Sequence, residues 1–168
     1  MSTQSLATAD GEAQYLTFSV AGETYALAIE GIKEIIELGH MTVVPMMPAY
    51  VRGVINLRGA VVPVIDLAAR FGQPTSTAGR RSCIVILEVR GAEGDTLVFG
   101  LLVDAVCAVL DIAAHAMEPA PGFGSRIRVD FIAGMARLDG RFVIVLDVDR
   151  VLSLQDLAQM ATLAGEAA

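Results

Sequence analysis

The stretch "VRGVINLRGAVVPVIDL", residues 51–67, decides the reading of this chain. Short β-branched runs lie on either side of Arg58-Gly59, so the spacing predicts two strands joined by a tight turn. Such turns favour Asn-Gly or Asp-Gly, because the first turn residue often needs a positive φ. Here that place holds an arginine. A second stretch, "IAGMARLDGRFVIVLDV" at 132–148, matches the first at a separation of 81 residues. Gly53 then meets Gly134, Leu57 meets Leu138, Gly59 meets Gly140 and Asp66 meets Asp147. Arg58 meets Asp139, which is the favoured turn chemistry.

A further pair of segments repeats in the same order. "YALAIEGIKEII" from Tyr25 matches "FGLLVDAVCAVL" from Phe99 at a separation of 74. Leu27 falls on Leu101, Ile29 on Val103, Glu30 on Asp104, Ile32 on Val106 and Ile35 on Val109. Colinear matches at two places indicate an internal duplication. Further hairpins are expected around Ala21-Gly22 and between "RRSCIVILEV" and "TLVFGLLV". The expected fold is all-β, with two related lobes of about five strands each, closed into barrels that remove exposed edges. Lobe one spans about 15–78 and lobe two about 79–153, after a polar tail over 1–14. Asp66 and Asp147 read as N-caps of short helices. Ser153 with Asp156 starts a last helix, "LQDLAQMATLA", with Leu154, Leu157 and Ala161 on one face, so that 154–168 is a C-terminal helix and tail. Pro63 lacks a ladder N–H, so its strand is expected to be an edge or bulged there.

Composition narrows the function. Hydrophobic residues make up 54% and charged residues 18%, which allows an ample core and argues against overall disorder. The net charge is -7, with 4 basic and 7 acidic residues in 1–78 and 8 and 12 in 79–168. No basic stripe exists to match a phosphate backbone, so nucleic-acid binding is disfavoured. "LVFGLLVDAVCAVL" is broken by Asp104, which argues against a membrane span. The N-terminus has no basic start followed by an apolar block, unlike a secretory signal. Cys83 and Cys107 lie in apolar runs and read as buried thiols of a reducing cytosol.

The catalytic inventory is thin. His40 and His115 lack metal-ligand spacing and read as loop or surface residues. The carboxylates Glu30, Asp66, Asp104 and Asp147 have capping or repeat-related explanations. No cofactor, metal or catalytic residue is implied. Apolar side chains are abundant enough to suggest partner surfaces. Arg58 has two readings. Either the turn type differs and the charge is solvated, or its planar fork grips a carboxylate or carbonyl of this chain or a partner.

Taken in order, "YALAIEGIKEII", "VVPMMPAYVRGVINLRGAVVPVIDLAARFG", "FGLLVDAVCAVLDI" and "IAGMARLDGRFVIVLDVDRVL" resemble the signature segments of the CheW family, the coupling proteins of bacterial chemosensory arrays. The resemblance runs over roughly Tyr15 to Leu152. It implies two SH3-like five-stranded barrels around a shared apolar interior. It also implies a cytoplasmic, non-catalytic adaptor that joins the tip of a methyl-accepting chemoreceptor to a histidine kinase. With the docking faces of the barrels reserved for other proteins, the free chain is expected to be a monomer. Adaptors of this kind also serve twitching, development and second-messenger pathways. By position, Ile32, Glu34, Gly53 and Arg58 match receptor-coupling positions, with Cys83, Ile84 and Val109 as the groove wall from the other lobe. An aliphatic groove of Ile32, Ile84 and Val109 would hold an amphipathic helix. Ile29, Gly39, Gly59 and Gly134 match positions tied to the kinase contact or to the shape of its loops. A small β-barrel enzyme or ligand-binding protein is the competing expectation, and it would need a polar pocket with converging titratable groups.

Overall fold

The computed structural model describes residues 13–46, 48, 50–71, 82–90, 94, 96–119, 132–138 and 140–148. Within them run β1 (Ala13–Val20), β2 (Glu23–Ala28), β3 (Ile32–Glu37), β4 (Val51–Leu57), β5 (Ala60–Asp66), α1 (Leu67–Arg70), β6 (Cys83–Arg90), β7 (Thr96–Val103), β8 (Ala105–Ile112), β9 (Met117–Glu118), β10 (Ile132–Leu138) and β11 (Arg141–Leu146). Single 3-10 turns at Ile29–Gly31 and Ala114–Ala116 lead into β3 and β9.

The strands form two sheets. One has the order β8-β1-β2-β11-β10-β9 and the other β3-β6-β7-β5-β4. Match β1 with β6, β2 with β7, β3 with β8, β4 with β10 and β5 with β11, and the two orders become the same except for the short extra edge strand β9, whose counterpart is the single Thr42–Val54 bridge beside β4. The duplication read from the sequence is therefore present in the strand pairing, down to its irregularities. Gly53 pairs with Val64 after a slip at Arg52, and Gly134 pairs with Val145 after a slip at Ala133. Lys33 is the extra residue of β3 against β6, and Cys107 the extra residue of β8 against β1. Bulges at equivalent places bend the strands of both sheets in the same way.

The expected division of the chain at 78/79 does not describe the sheets. β1 and β2 join the later strands β8–β11, while β6 and β7 join the earlier strands β3–β5. The physical reason lies in the core. Phe18, Tyr25, Leu27, Val85, Leu87, Phe99 and Leu101 share one cluster that draws on both sheets. Exchanging the two hairpins interlocks the sheets around that cluster. Alternation in sequence reports which residues are buried and is silent on which sheet buries them.

Each sheet also curls around its own cluster. Ile55, Val62, Val64, Ile84, Ile86 and Leu102 fill one barrel, and Ala26, Ile112, Ala136, Val143 and Val145 the other. Strand β6 faces its own barrel with Ile84 and Ile86 and the shared core with Val85 and Leu87. A strand buried on both faces reads as the unbroken apolar run seen there. A Cβ on Gly100 would sit 2.5 Å from Ile84 Cγ2, so the glycine makes room for that packing.

Local details follow the chemistry. Ala21 and Gly22 both have positive φ, at 52° and 84°, as a type I′ hairpin requires. Asp66 caps α1 by accepting from the Ala69 N–H at 3.3 Å. Strand β5 is internal to its sheet, but its pairing with β7 begins only at Val64, so Pro63 costs that ladder no rung. Strand β1 starts at Ala13, inside the span expected to be a tail. The expected C-terminal helix and tail over 154–168, and the helix after Asp147 beyond Val148, lie outside the described residues.

Candidate protein-contact site

Arg58 occupies the first place of a turn that closes β4 onto β5, with φ of 53°, followed by Gly59 at 89°. The turn is thus of the same hand as the one at Ala21-Gly22, and the expectation of a different turn type fails. A non-glycine residue in this region costs about 1–2 kcal/mol. Asn56 Oδ1 accepts from the Gly59 N–H at 3.0 Å and steadies the loop. Two charge-assisted hydrogen bonds then aim the side chain. Arg58 Nη1 donates to Glu34 Oε2 at 2.6 Å and Nη2 to Oε1 at 2.8 Å. This is the bidentate geometry for which arginine is suited and lysine is not.

The pair sits at the surface, with side-chain exposures of 68% for Arg58 and 25% for Glu34. Glu34 belongs to β3, the edge strand of the second sheet, and Arg58 to the hairpin at the opposite edge. The ion pair therefore ties the two edges of one barrel together. Nearby, Lys33 Nζ lies 3.5 Å from Glu88 Oε2, both half-exposed. Lys33, Leu57, Arg58, Pro63 and Leu97 line an open cleft of about 410 Å³ where β5 and β7 have not yet paired.

The hydrogen bonds from Arg58 hold the Glu34 carboxyl below its ordinary value of 4.5, against a smaller opposing push from desolvation, and raise the guanidinium in turn. The sign follows from linkage. A carboxylate whose folded pKa is depressed stabilises the fold above its unfolded value and loses that contribution as pH falls through the folded one. An NMR titration of the Glu34 side-chain carboxyl should show a midpoint below that of an ordinary glutamate, and Arg58→Gly should return it to normal. An unshifted wild-type midpoint would mean that the pair does not persist in solution.

The other expected receptor-coupling residues divide. Ile32 is half-buried on the strand of Glu34 and packs on the shared core, as does Cys83. Ile84 is fully buried inside the second barrel, so it cannot wall a surface groove. Val109 is 48% exposed but lies on β8, the edge strand of the other sheet. Ile84 therefore takes no part in a surface groove with Ile32 and Val109. The unbroken apolar run "CIVIL" hid this, because both faces of β6 are buried. Cys107, expected to be buried, is exposed. It is the bulge residue of β8, where alternation breaks.

Gly53 and Gly134 are buried repeat equivalents with a shared backbone task. A Cβ on Gly53 would meet the Thr42 carbonyl oxygen at 2.5 Å, and one on Gly134 would meet Met117 Cγ at 2.7 Å. Both let a neighbouring segment cross a bulged strand closely. Gly53→Ala should cost about 1–3 kcal/mol, and Gly134→Ala less, because a methionine side chain can move where a backbone carbonyl cannot. Urea unfolding of both variants would check this, and equal costs would contradict it. Of the remaining expected kinase-side positions, Gly59 serves the Arg58 turn, Ile29 sits half-buried in the first 3-10 turn, and Gly39 is exposed after β3.

Sequence reasoning missed the Arg52–Asp66 pair. Arg52 Nη1 donates at 2.9 Å to Asp66 Oδ2, and the Asp66 side chain is wholly buried. The available signal was an arginine at the bulge position where the repeat has Ala133. It also missed Thr17, whose buried hydroxyl both accepts from the Ala108 N–H and donates to the Ala108 carbonyl, each at 3.1 Å. That hydroxyl bridges the ladder at the β8 bulge. Among the described residues, no three or more metal-ligating side chains cluster, His40 and His115 are exposed, and no helix is long and apolar enough to cross a membrane.

Fold and site together define a class: paired SH3-like β-barrels interlocked by strand exchange, with an ordered arginine–carboxylate fork at the surface of one barrel. A family model for the CheW-like domain matches residues 14–156, and the chain belongs to that family. It is 34% identical over 143 residues to the probable chemotaxis protein CheW of Rhizobium etli, covering 85% of this chain and 89% of the relative. It is 32% identical over 147 residues to the chemotaxis protein CheW of Rhizobium meliloti, covering 88% and 92%. The crystal structure of the scaffolding protein TtCheW from Thermoanaerobacter tengcongensis superposes with a TM-score of 0.74 at 34% identity, over 83% of this chain and 87% of that one.

Proposed function

We propose that this chain is a non-catalytic coupling adaptor of a chemotaxis system, working in the cytoplasm. It would join the cytoplasmic tip of a methyl-accepting chemoreceptor to a CheA-type histidine kinase. The observation that carries this reading is membership of the CheW-like family over residues 14–156, in a chain of 168. No cofactor enters the reading.

The receptor side is assigned to the surface around Glu34 and Arg58. A strained turn residue is retained there when glycine or asparagine would serve the turn better, and its guanidinium is held in one orientation by two hydrogen bonds. An oriented charge is pre-organised for a partner, because less rotamer freedom is lost on binding. A coupler transmits a signal only when its contacts differ between the active and inactive states of the assembly. An exchangeable surface ion pair meets that need. Glu34 and Arg58 can hold each other in one state and partner groups in another.

Co-sedimentation of the purified chain with receptor tips and kinase tests the reading. A ternary complex at micromolar concentration, with kinase activity that depends on the chain, is the expected result. Binding to neither protein would overturn it.

A further inference from the structure

Most of the cations described in this acidic chain are engaged. Lys33 pairs with Glu88, Arg52 with Asp66 and Arg58 with Glu34. Arg70 lies over the Tyr50 ring at 4.7 Å. Arg137 and Arg141 have no carboxylate partner among the described residues, and Arg137, like Arg70, has a ring as its neighbour instead. Both are exposed, and both belong to the β10–β11 hairpin, where Arg137 pairs across the strands with Phe142 and Leu138 with Arg141.

Phe142 is 47% exposed, and the Arg137 guanidinium lies 5.0 Å from its ring centroid. A guanidinium drawn to a ring face still has N–H groups free to donate outward. The equivalent cross-strand pair of the sister hairpin is Asn56 and Val61, neutral and without a ring. The two barrels thus share a backbone but offer different chemistry on corresponding faces. In a chain of net charge -7, two arginines without described carboxylate partners beside a half-exposed phenylalanine depart from the average composition, although Asp139 stands between them in sequence.

We infer that the outer end of the β10–β11 hairpin is a docking surface for an acidic segment of a partner protein. The segment presents a carboxylate to Arg137 or Arg141 and an apolar side chain to Phe142. Resting on the adaptor reading, that partner is the histidine kinase. The Glu34–Arg58 surface lies on the other sheet and is assigned to the receptor, and a coupler must hold both partners together.

The test measures binding of wild type, Arg137→Glu, Arg137→Lys and Phe142→Ala to two probes, the regulatory domain of the kinase and a soluble receptor tip. Arg137→Glu and Phe142→Ala should each weaken kinase binding about tenfold or more. Arg137→Lys should fall between, and the wild-type affinity should drop with added salt. Receptor-tip binding should stay unchanged in every variant, which also shows that the variants are folded. Unchanged kinase binding by Arg137→Glu and Phe142→Ala overturns this assignment and leaves the adaptor reading standing. So does a loss confined to the receptor tip. Wild-type protein that binds neither probe overturns both.

Discussion

Replacing Arg58 by glycine should leave a protein that folds at least as well as wild type and yet fails to place the kinase under receptor control. The turn needs a positive φ at this position, and glycine adopts it without the steric cost that arginine bears. The exposed ion pair adds little to set against this, because solvent-exposed pairs contribute little to stability. Receptor-dependent autophosphorylation in reconstituted arrays should fall about tenfold or more, as when one partner of a well-formed charge pair at an interface is removed. Arg58→Lys should retain only part of the activity, since a single ammonium cannot make both bonds. Exchanging the charges, with Glu34→Arg and Arg58→Glu together, separates two roles. Recovery would mean that closing the barrel edges is the whole task. Continued failure would mean that the guanidinium itself meets the receptor. Full receptor control by Arg58→Gly would remove Arg58 from the coupling site.

The largest stability effect is expected at Asp66. Its buried carboxylate accepts from Arg52 with one oxygen and caps α1 with the other. Its backbone N–H also donates to the Tyr50 carbonyl at 2.7 Å. Asp66→Ala removes a cap worth about 1 kcal/mol and a hydrogen bond to a charged group worth about 1.5–3 kcal/mol. Arg52 is one-third exposed and can turn to water, so the loss stays below that of a fully buried pair. A cost of about 3 kcal/mol is expected, which for a chain of this size lowers Tm by about 6–12 °C. Asp66→Asn keeps the cap and should cost less than half as much. Thermal and urea unfolding check both values. A loss below about 1 kcal/mol for Asp66→Ala would show that the pair is dispensable.

The candidate site was half legible before the structure. Glu34 and Arg58 were both named, but 24 residues separate them and nothing in local pattern says that they touch. Their meeting depends on a barrel closing, which brings an edge strand beneath a hairpin. Ile84 shows the opposite failure. The family resemblance places it, by position, on a groove wall, yet both faces of its strand are buried. Phe142 and Arg137 stand side by side only through cross-strand register, which the sequence implies once the hairpin turn is located.

Strand-forming runs, hairpin turns, the Asp66 cap and the duplication were determined by sequence alone, because each depends on residues close in the chain or on a periodicity that repeats. Even the equivalent bulges answer to matched segments. Tertiary structure alone decided which hairpins share a sheet. Strand exchange buries the same apolar side chains either way, so burial pattern carries no trace of it. The same holds for the Arg58–Glu34 fork and the buried Arg52–Asp66 pair. A charge can satisfy itself with water or with any partner in reach, and only the folded backbone sets what is in reach.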